Sequence, residues 1–343
     1  MSDSIAFIGM RHFRRAVGST SAAPVPVVTA PTLTSLSYDQ GDITGAGASI
    51  IIAGTDFSAV TGVFFGATSA TFVIDSSIQI TATLPSHAAG VINVTAVNFG
   101  GTSNALTFEF WSPAQLTLGH WERAAATWAG APWSGVASAG SSGTRTFQTT
   151  AVDPTAGSTI SGFQALSFTT NSRLLDATGT WGDVATTTAY SMCVVAKVTS
   201  AGTRDTVTRY TEPTFFGDNN ANVILGCTFS TGGFSSFHFD DSTFTYTGPE
   251  VAQATGTWFM GLSRYDGTNI KVSVNGGADV SQAKTPVQTG FETNSILLNR
   301  SAFGANTGIA GEIAEVFMMP SYISDANKTK VAKYLRQRYG QAF

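Results

Sequence analysis

Between Pro31 and Phe110 apolar and polar residues alternate with a period of two: Ile78, Ile80, Ala82 and Leu84, then Ile92 and Val94, then Leu106, Phe108 and Phe110. Each run is bounded by Gly, Asn, Asp or Pro, as expected of antiparallel strands with one face on a core and one in water. Strand-like runs recur further on, at Ala165–Phe168, Tyr190–Val198, Val223–Phe229, Phe234–Phe239, Trp258–Ser263, Ile270–Val274, Ser295–Leu298 and Glu312–Met318. Tyr265-Asp-Gly-Thr-Asn269 and Asn275-Gly-Gly277 supply hairpin turns, because Asp-Gly and Asn-Gly tolerate positive φ. Only the end of the chain carries a helical pattern. Ser324 is placed to cap, Asp325 suits the positive N-terminal end, Val331, Tyr334 and Leu335 share one face, and Gly340 stops it. The predicted fold class is all-β with a C-terminal helix. Ahead of the strands, residues 1–17 form a short amphipathic arm, and Pro24, Pro26 and Pro31 favour an extended connector.

The landmarks between 31 and 110 fall in a recognisable order. Pro31-Thr-Leu-Thr-Ser35-Leu leads to Gly41, then Gly47-Ala-Ser-Ile-Ile-Ile-Ala-Gly54-Thr-Asp-Phe57, Val63-Phe-Phe-Gly66, Ser76 to Pro85, and Gly100-Gly101-Thr-Ser103 before Phe108. This stretch resembles the IPT/TIG family of Ig-like domains, which implies a small β-sandwich acting as spacer or interaction module and brings no catalytic residues. Residues 111–343 offer Gly256-Thr-Trp258, Tyr265-Asp-Gly-Thr-Asn269, Val274-Asn-Gly276, Gly311-Glu-Ile-Ala-Glu-Val316 and Tyr322-Ile-Ser-Asp325. This segment is similar to the laminin-G-like branch of the concanavalin A-like lectin/glucanase superfamily, and its last part to the closing strand and helix of many bacteriophage structural and tail-associated proteins. The resemblance implies a larger jelly-roll sandwich. Three parts follow: an anchoring arm and Pro-rich linker at 1–30, an Ig-like domain at 31–110, and a concanavalin A-like domain at 111–343.

Composition narrows the function. Charged residues make up 12% of the 343, about half the usual share, while Gly reaches 36 and Phe 24. The net charge of −4 argues against a nucleic-acid binder. No run approaches the length of a membrane span, and Asp3 with Arg11, Arg14 and Arg15 makes a poor export signal. Residues 31–110 hold five acids and no Lys or Arg. Lys328, Lys330, Lys333, Arg336 and Arg338 crowd the last helix, where they are expected to form its solvated face. Cys193 and Cys227 each sit in an apolar stretch and are expected as buried thiols rather than a disulfide framework.

Catalytic chemistry is sparse. Glucanases of this superfamily carry two glutamates on one face of a strand, and Gly311-Glu312-Ile-Ala-Glu315-Val is the one place to look. Three positions apart, Glu312 and Glu315 should face opposite sides of a flat strand, so no enzyme is expected. The four histidines, at 12, 87, 120 and 238, are too scattered for a metal pair. No cofactor is expected beyond a weighed Ca²⁺ site at Asp218, Asn220 and Asn222, whose oxygens are hard ligands but also ordinary turn formers. Trp128, Trp133, Asp240 and Asp241 are the candidate glycan contacts, against the competing role of indole as core filler.

The expected function is a non-enzymatic bacteriophage virion surface protein: a capsid decoration, head fibre or tail-associated adhesion subunit, assembled in the host cytoplasm. The alternatives are a secreted bacterial carbohydrate-binding protein and a tail-borne glycan hydrolase. Ile5, Phe7, Ile8 and Phe13 offer apolar anchors, and Arg11, Arg14 and Arg15 bidentate contacts, for joining other virion proteins. The competing possibility is that the arm docks on the chain's own acidic Ig-like domain. The remaining partner expectations are other copies of the chain, as a homo-oligomer or in multiple copies on a particle, and a host-surface glycan, with no nucleic acid and no membrane insertion.

Overall fold

The computed structural model describes residues 28–45, 47–116, 118, 120–123, 148–149, 155–169, 174–176, 189–200, 214–218, 225–229, 233–240, 245–283, 296–298, 310–319 and 321–340. Among these the chain is strands, two short 3₁₀ turns and one α-helix, α1 (Asp325–Tyr339). No helix of the described residues is long and apolar enough to cross a membrane.

The first two sheets are built entirely from strands between Thr32 and Phe110. One runs in the order Thr32–Leu36, Ser49–Thr55, Gln79–Thr83, Phe72–Ser76. The other runs Gln40–Gly41, Leu106–Phe110, Gly90–Asn98, Gly62–Phe65, Thr68–Ala70, with Gly101–Thr102 beside Gly90–Asn98. Their alternating apolar residues meet in one core around Ile52, Phe57, Val63, Phe65, Ile80, Val94, Phe108 and Phe110. Phe65 and Phe108 meet edge-on at 5.3 Å, the geometry that aromatic quadrupoles prefer. Gly54 is required by this packing, since a Cβ there would strike the Thr32 carbonyl oxygen and the Phe57 ring.

The remaining strands form two larger sheets. The first runs Thr155–Ile160, Phe163–Phe168, Ala310–Met319, Tyr190–Ser200, Trp258–Tyr265, Asn269–Val274, Val280–Ala283, with His120–Arg123 also paired to Ala310–Met319. The second runs Gln148–Thr149, Leu174–Asp176, Ile296–Leu298, Thr214–Asp218, Leu225–Phe229, Gly233–Asp240, Thr245–Thr247, with Glu250–Ala252 on Gly233–Asp240. The two sheets stack through Phe234 against Phe259, centroids 5.8 Å apart, and through a bond from Ser263 Oγ to Ser236 Oγ of 2.7 Å. The turn chemistry follows the sequence. Asp266 Oδ1 accepts from the amides of Thr268 and Asn269, and Asn275-Gly276 turns with φ of 56° and 70°.

On its other face the Tyr190–Ser200 sheet is covered by α1. Cys193, Val195, Met260, Leu262, Ala314 and Phe317 pack against Val331, Tyr334, Leu335 and Tyr339. Ser324 caps the helix by accepting from Asn327 N at 3.2 Å, and Gly340 closes it with φ of 60°. A charged network pins the N-terminal end. The fully buried Arg264 bonds the Ile323 carbonyl at 2.8 Å and pairs with Asp279 and Asp325, and Lys328 reaches Asp279 Oδ1 and the Gly277 carbonyl at 2.6 Å each.

The solvated basic face expected of this helix is not what the structure has. Lys328 is buried, Arg336 donates to the Asn275 carbonyl at 3.1 Å, and Arg338 lies 3.8 Å over the Phe163 ring. Lys330 pairs with Glu109 and Lys333 with Asp39, each at 2.6 Å, both acids belonging to the Ig-like module. Opposite charge on the two surfaces, visible separately in the sequence, is used to join them.

Candidate functional site

Most residues singled out by sequence lie outside the described part of the chain: Trp128, Trp133, Asp241, Asn220, Asn222, and Ile5, Phe7, Ile8, Arg11, Phe13, Arg14 and Arg15 of the arm. Asp218 and Asp240 are placed by their backbone, each ending its strand. Gly217 pairs with Gly226, and Gly226 with Phe237, so Asp218 and Asp240 come to the same end of one sheet. One residue from each of the two expected sites thus lies at that end of the sheet. Among the described residues no group of three His, Cys, Asp or Glu could hold a metal ion.

The two glutamates are both described, and their placement corrects the flat-strand expectation. Val195 pairs with Glu315 and Ala196 with Ile313, so Ala314 is an extra residue, a β-bulge. The bulge restores the alternation, and Glu312 and Glu315 come to the same face, the one that α1 partly covers. Their surroundings differ. Glu315 is fully buried, accepts from Tyr339 OH at 2.7 Å, and stands 3.5 Å from Arg338 Nε. Burial, with the Glu315 charge beside it, pushes the Tyr339 hydroxyl well above its ordinary value, so it remains a proton donor.

Glu312 lies past the helix in a row across four strands, Ser167, Glu312, Lys197 and Trp258. Lys197 Nζ contacts Glu312 Oε1 at 2.8 Å and donates to Ser158 Oγ at 3.1 Å, while Ser158 N donates to Glu312 Oε2 at 2.8 Å. Burial raises this carboxyl, but the bonds from Lys197 and Ser158 outweigh it and hold it below its usual range. A carboxylate held ionised by a lysine is a poor proton donor, and one sealed under a helix has no substrate to meet. The arrangement suits structural binding of the sheet more than acid–base work.

The other organised region is the junction between modules. Besides the two lysine pairs, Gln40 Nε2 donates to the Lys330 carbonyl at 2.8 Å and Asp42 N donates to Gln337 Oε1 at 2.9 Å. Trp111, at the crossing point of the chain, meets Tyr334 edge-on at 6.2 Å. Sequence reasoning missed this region; the available signal was an Ig-like domain without a single Lys or Arg followed by a helix crowded with them.

Comparison with known proteins gives the first module a family. The IPT/TIG domain model matches residues 31–110. No curated protein sequence matches the chain. Among solved structures, domain 4 of AbnA, an extracellular arabinanase from Geobacillus stearothermophilus, in complex with arabinotriose, is similar at 18% identity and TM-score 0.39, covering 53% of this chain and 81% of that one. The binding domain of Paraclostridial Mosquitocidal Protein 1 is similar at 9% and 0.47, covering 64% and 52%. The binding domain of botulinum neurotoxin serotype D is similar at 12% and 0.46, covering 63% and 50%. The chain spans about half the length of these last two.

Proposed function

We propose that this chain is a non-enzymatic display and binding protein of a bacteriophage virion, a capsid decoration, head fibre or tail-associated adhesion subunit. Residues 1–30 attach it, the Ig-like domain holds it off the particle, and the sandwich faces outward toward host glycans. The observation that carries the reading is the junction. The IPT/TIG domain is bonded to α1 through Lys330, Lys333, Gln337 and Gln40, so spacer and head form one stiff body rather than beads on a string. A stiff outward head is what repeated attachment to a surface favours, because little orientation is lost on binding. The absence of a catalyst is part of the proposal: the two carboxylates at the expected place are committed to Lys197, Ser158, Tyr339 and Arg338.

The test is electron microscopy of phage particles labelled with gold-tagged antibody against the 111–343 region. Regular labelling of heads or tails is expected, and removal of residues 1–17 should leave a folded, soluble protein missing from the particles. Recovery of the protein only in the medium, with unlabelled particles, would overturn the virion reading in favour of a secreted binding protein.

A further inference from the structure

A cleft of about 270 Å³ opens where the two modules meet, lined by Asp42, Gly45, Gly47 and Ala48 from the Ig-like side and Ser161, Phe163, Gln337 and Arg338 from the sandwich. We propose that it binds one neutral sugar ring, or a polyol of that size, through Asp42 and Gln337. The inference rests on the glycan-binding part of the reading above and gives it a place that neither module has alone.

Two polar groups are held in position by bonds that leave their other ends open. Asp42 is 8% exposed, and its Oδ1 accepts from Thr44 N and Thr44 Oγ1 at 2.8 Å each. Gln337 Oε1 accepts from Asp42 N at 2.9 Å. The bonds that these two side chains make among the described residues use Asp42 Oδ1 and Gln337 Oε1, not Asp42 Oδ2 or Gln337 Nε2. A carboxylate and an amide, on two residues joined by that bond, therefore both line the cleft, one able to accept and the other to donate. Neighbouring hydroxyls of a sugar fit this pair, since one donates to the carboxylate while the next accepts from the amide. The side chains are ordered before the ligand arrives, so binding does not have to freeze them.

The walls select further. Phe163 supplies an apolar ring, with the Arg338 guanidinium 3.8 Å from its centroid. Asp42 repels an anion and Arg338 repels a cation, which leaves an uncharged ligand as the best match. The Gly45 backbone, at φ of 67°, packs against the backbone of Leu84 and Pro85 at distances that exclude a Cβ, so this wall is seated on the Ig-like core. The volume lies just below the usual range of drug-sized pockets, about 300 Å³ upward, and suits a single ring rather than a chain.

The intact chain is titrated by saturation-transfer NMR with methyl glycosides of glucose, galactose, mannose, arabinose and N-acetylglucosamine. At least one should bind. Gln337→Glu keeps the Oε1 acceptor but removes the donor, and Asp42→Asn keeps Oδ1 but replaces the open acceptor. Each should weaken binding roughly tenfold or more; the unliganded thermal midpoint should change little for Asp42→Asn and fall for Gln337→Glu, which sets a second carboxylate near Asp42. The bound glycoside should also raise the midpoint of the wild type, because it touches both modules, and should not raise that of either variant. Binding that survives both substitutions overturns this site while leaving glycan binding elsewhere on the chain intact. Failure of every glycoside to bind, or preferential binding of sulfate, overturns the proposed ligand class; the particle-labelling result stands apart from either outcome.

Discussion

Helix α1 touches both modules with two different kinds of chemistry. Toward the sandwich it buries Val331, Tyr334, Leu335 and Tyr339, each 1% exposed or less, over the fully buried Glu315. Toward the Ig-like domain it extends Lys330 and Lys333, whose side chains remain 34% and 38% exposed, to Glu109 and Asp39. Burying an aliphatic or aromatic side chain stabilises by about 1.5–3 kcal/mol, whereas a solvent-exposed ion pair contributes about 0–1 kcal/mol. The first contact holds the helix to its sheet. The second sets where the neighbouring module sits, at little energy per bond, and its specificity comes from placing four partners at once.

Removing Glu315 should separate the two kinds most clearly. Glu315→Ala takes the carboxylate from beside the buried Arg338 and leaves Tyr339 OH only the Ala314 carbonyl at 3.4 Å, and a loss of about 4 kcal/mol is expected in urea unfolding of the intact chain. Arg338→Met in the same background should recover much of it, because the stranded charge is then gone. Leu335→Ala, on the same face, should cost about 3 kcal/mol through the cavity it leaves. A loss below about 1 kcal/mol for either would mean that α1 is held chiefly by its charged side, reversing the comparison.

The same division decides what was legible beforehand. The apolar face of α1, its Ser324 cap and its Gly340 stop are all local, each readable within a turn of its own residue, and the structure has all three. So are the hairpin at Asn275-Gly276 and the strands expected at 258–263, 270–274 and 312–318, which the structure extends to 258–265, 269–274 and 310–319. The charged face is not local. Lys330 and Glu109 stand 221 residues apart, Lys333 and Asp39 294, and Asp42 and Gln337 295. A lysine in a sequence carries no mark of whether it meets water or an acid. The bulge at Ala314 was hidden for another reason: period-2 reading assumes a flat strand, and one extra residue inverts the predicted facing of everything beyond it. The junction cleft inherits both difficulties, since its lining residues come from far-separated parts of the chain.

The lysine pairs offer a smaller effect with a sharper signature. In a double-mutant cycle, Lys330→Ala with Glu109→Ala should show a coupling of at most about 1 kcal/mol, and Lys333→Ala with Asp39→Ala less, since the Asp39 side chain is 65% exposed. Both couplings should shrink toward zero in high salt, where the screening length falls to about 3 Å in 1 M. Coupling that persists in high salt would show the pairs to be desolvated, and the two faces of α1 to be alike after all.

The smallest effect concerns Glu312, which shares the strand and the face of Glu315 but lies beyond the edge of the helix. Its side chain is 15% exposed, and the bonds from Lys197 and Ser158 lower its pKa in the folded chain from the ordinary 4.5. A carboxylate with a depressed folded pKa adds stability above its unfolded pKa and loses it as pH falls through the folded value. The contribution should therefore be complete at neutral pH, begin to fade as pH drops past 4.5, and be absent once the folded group is protonated. Glu312→Gln keeps the shape and an acceptor for Ser158 but removes the charge facing Lys197. Its thermal midpoint should fall modestly below wild type at pH 7, and the two curves should converge in acid. Convergence will not flatten the acid profile completely, because two other carboxyls are also held low: Asp266, against its burial, by the amides of Asn269 and Thr268 and then by Lys271, and Asp325 by Arg264. A difference between Glu312→Gln and wild type that stays constant from pH 7 down to pH 3 would mean that the carboxylate acts by shape rather than by charge, and the contrast between the two glutamates would then be one of burial alone.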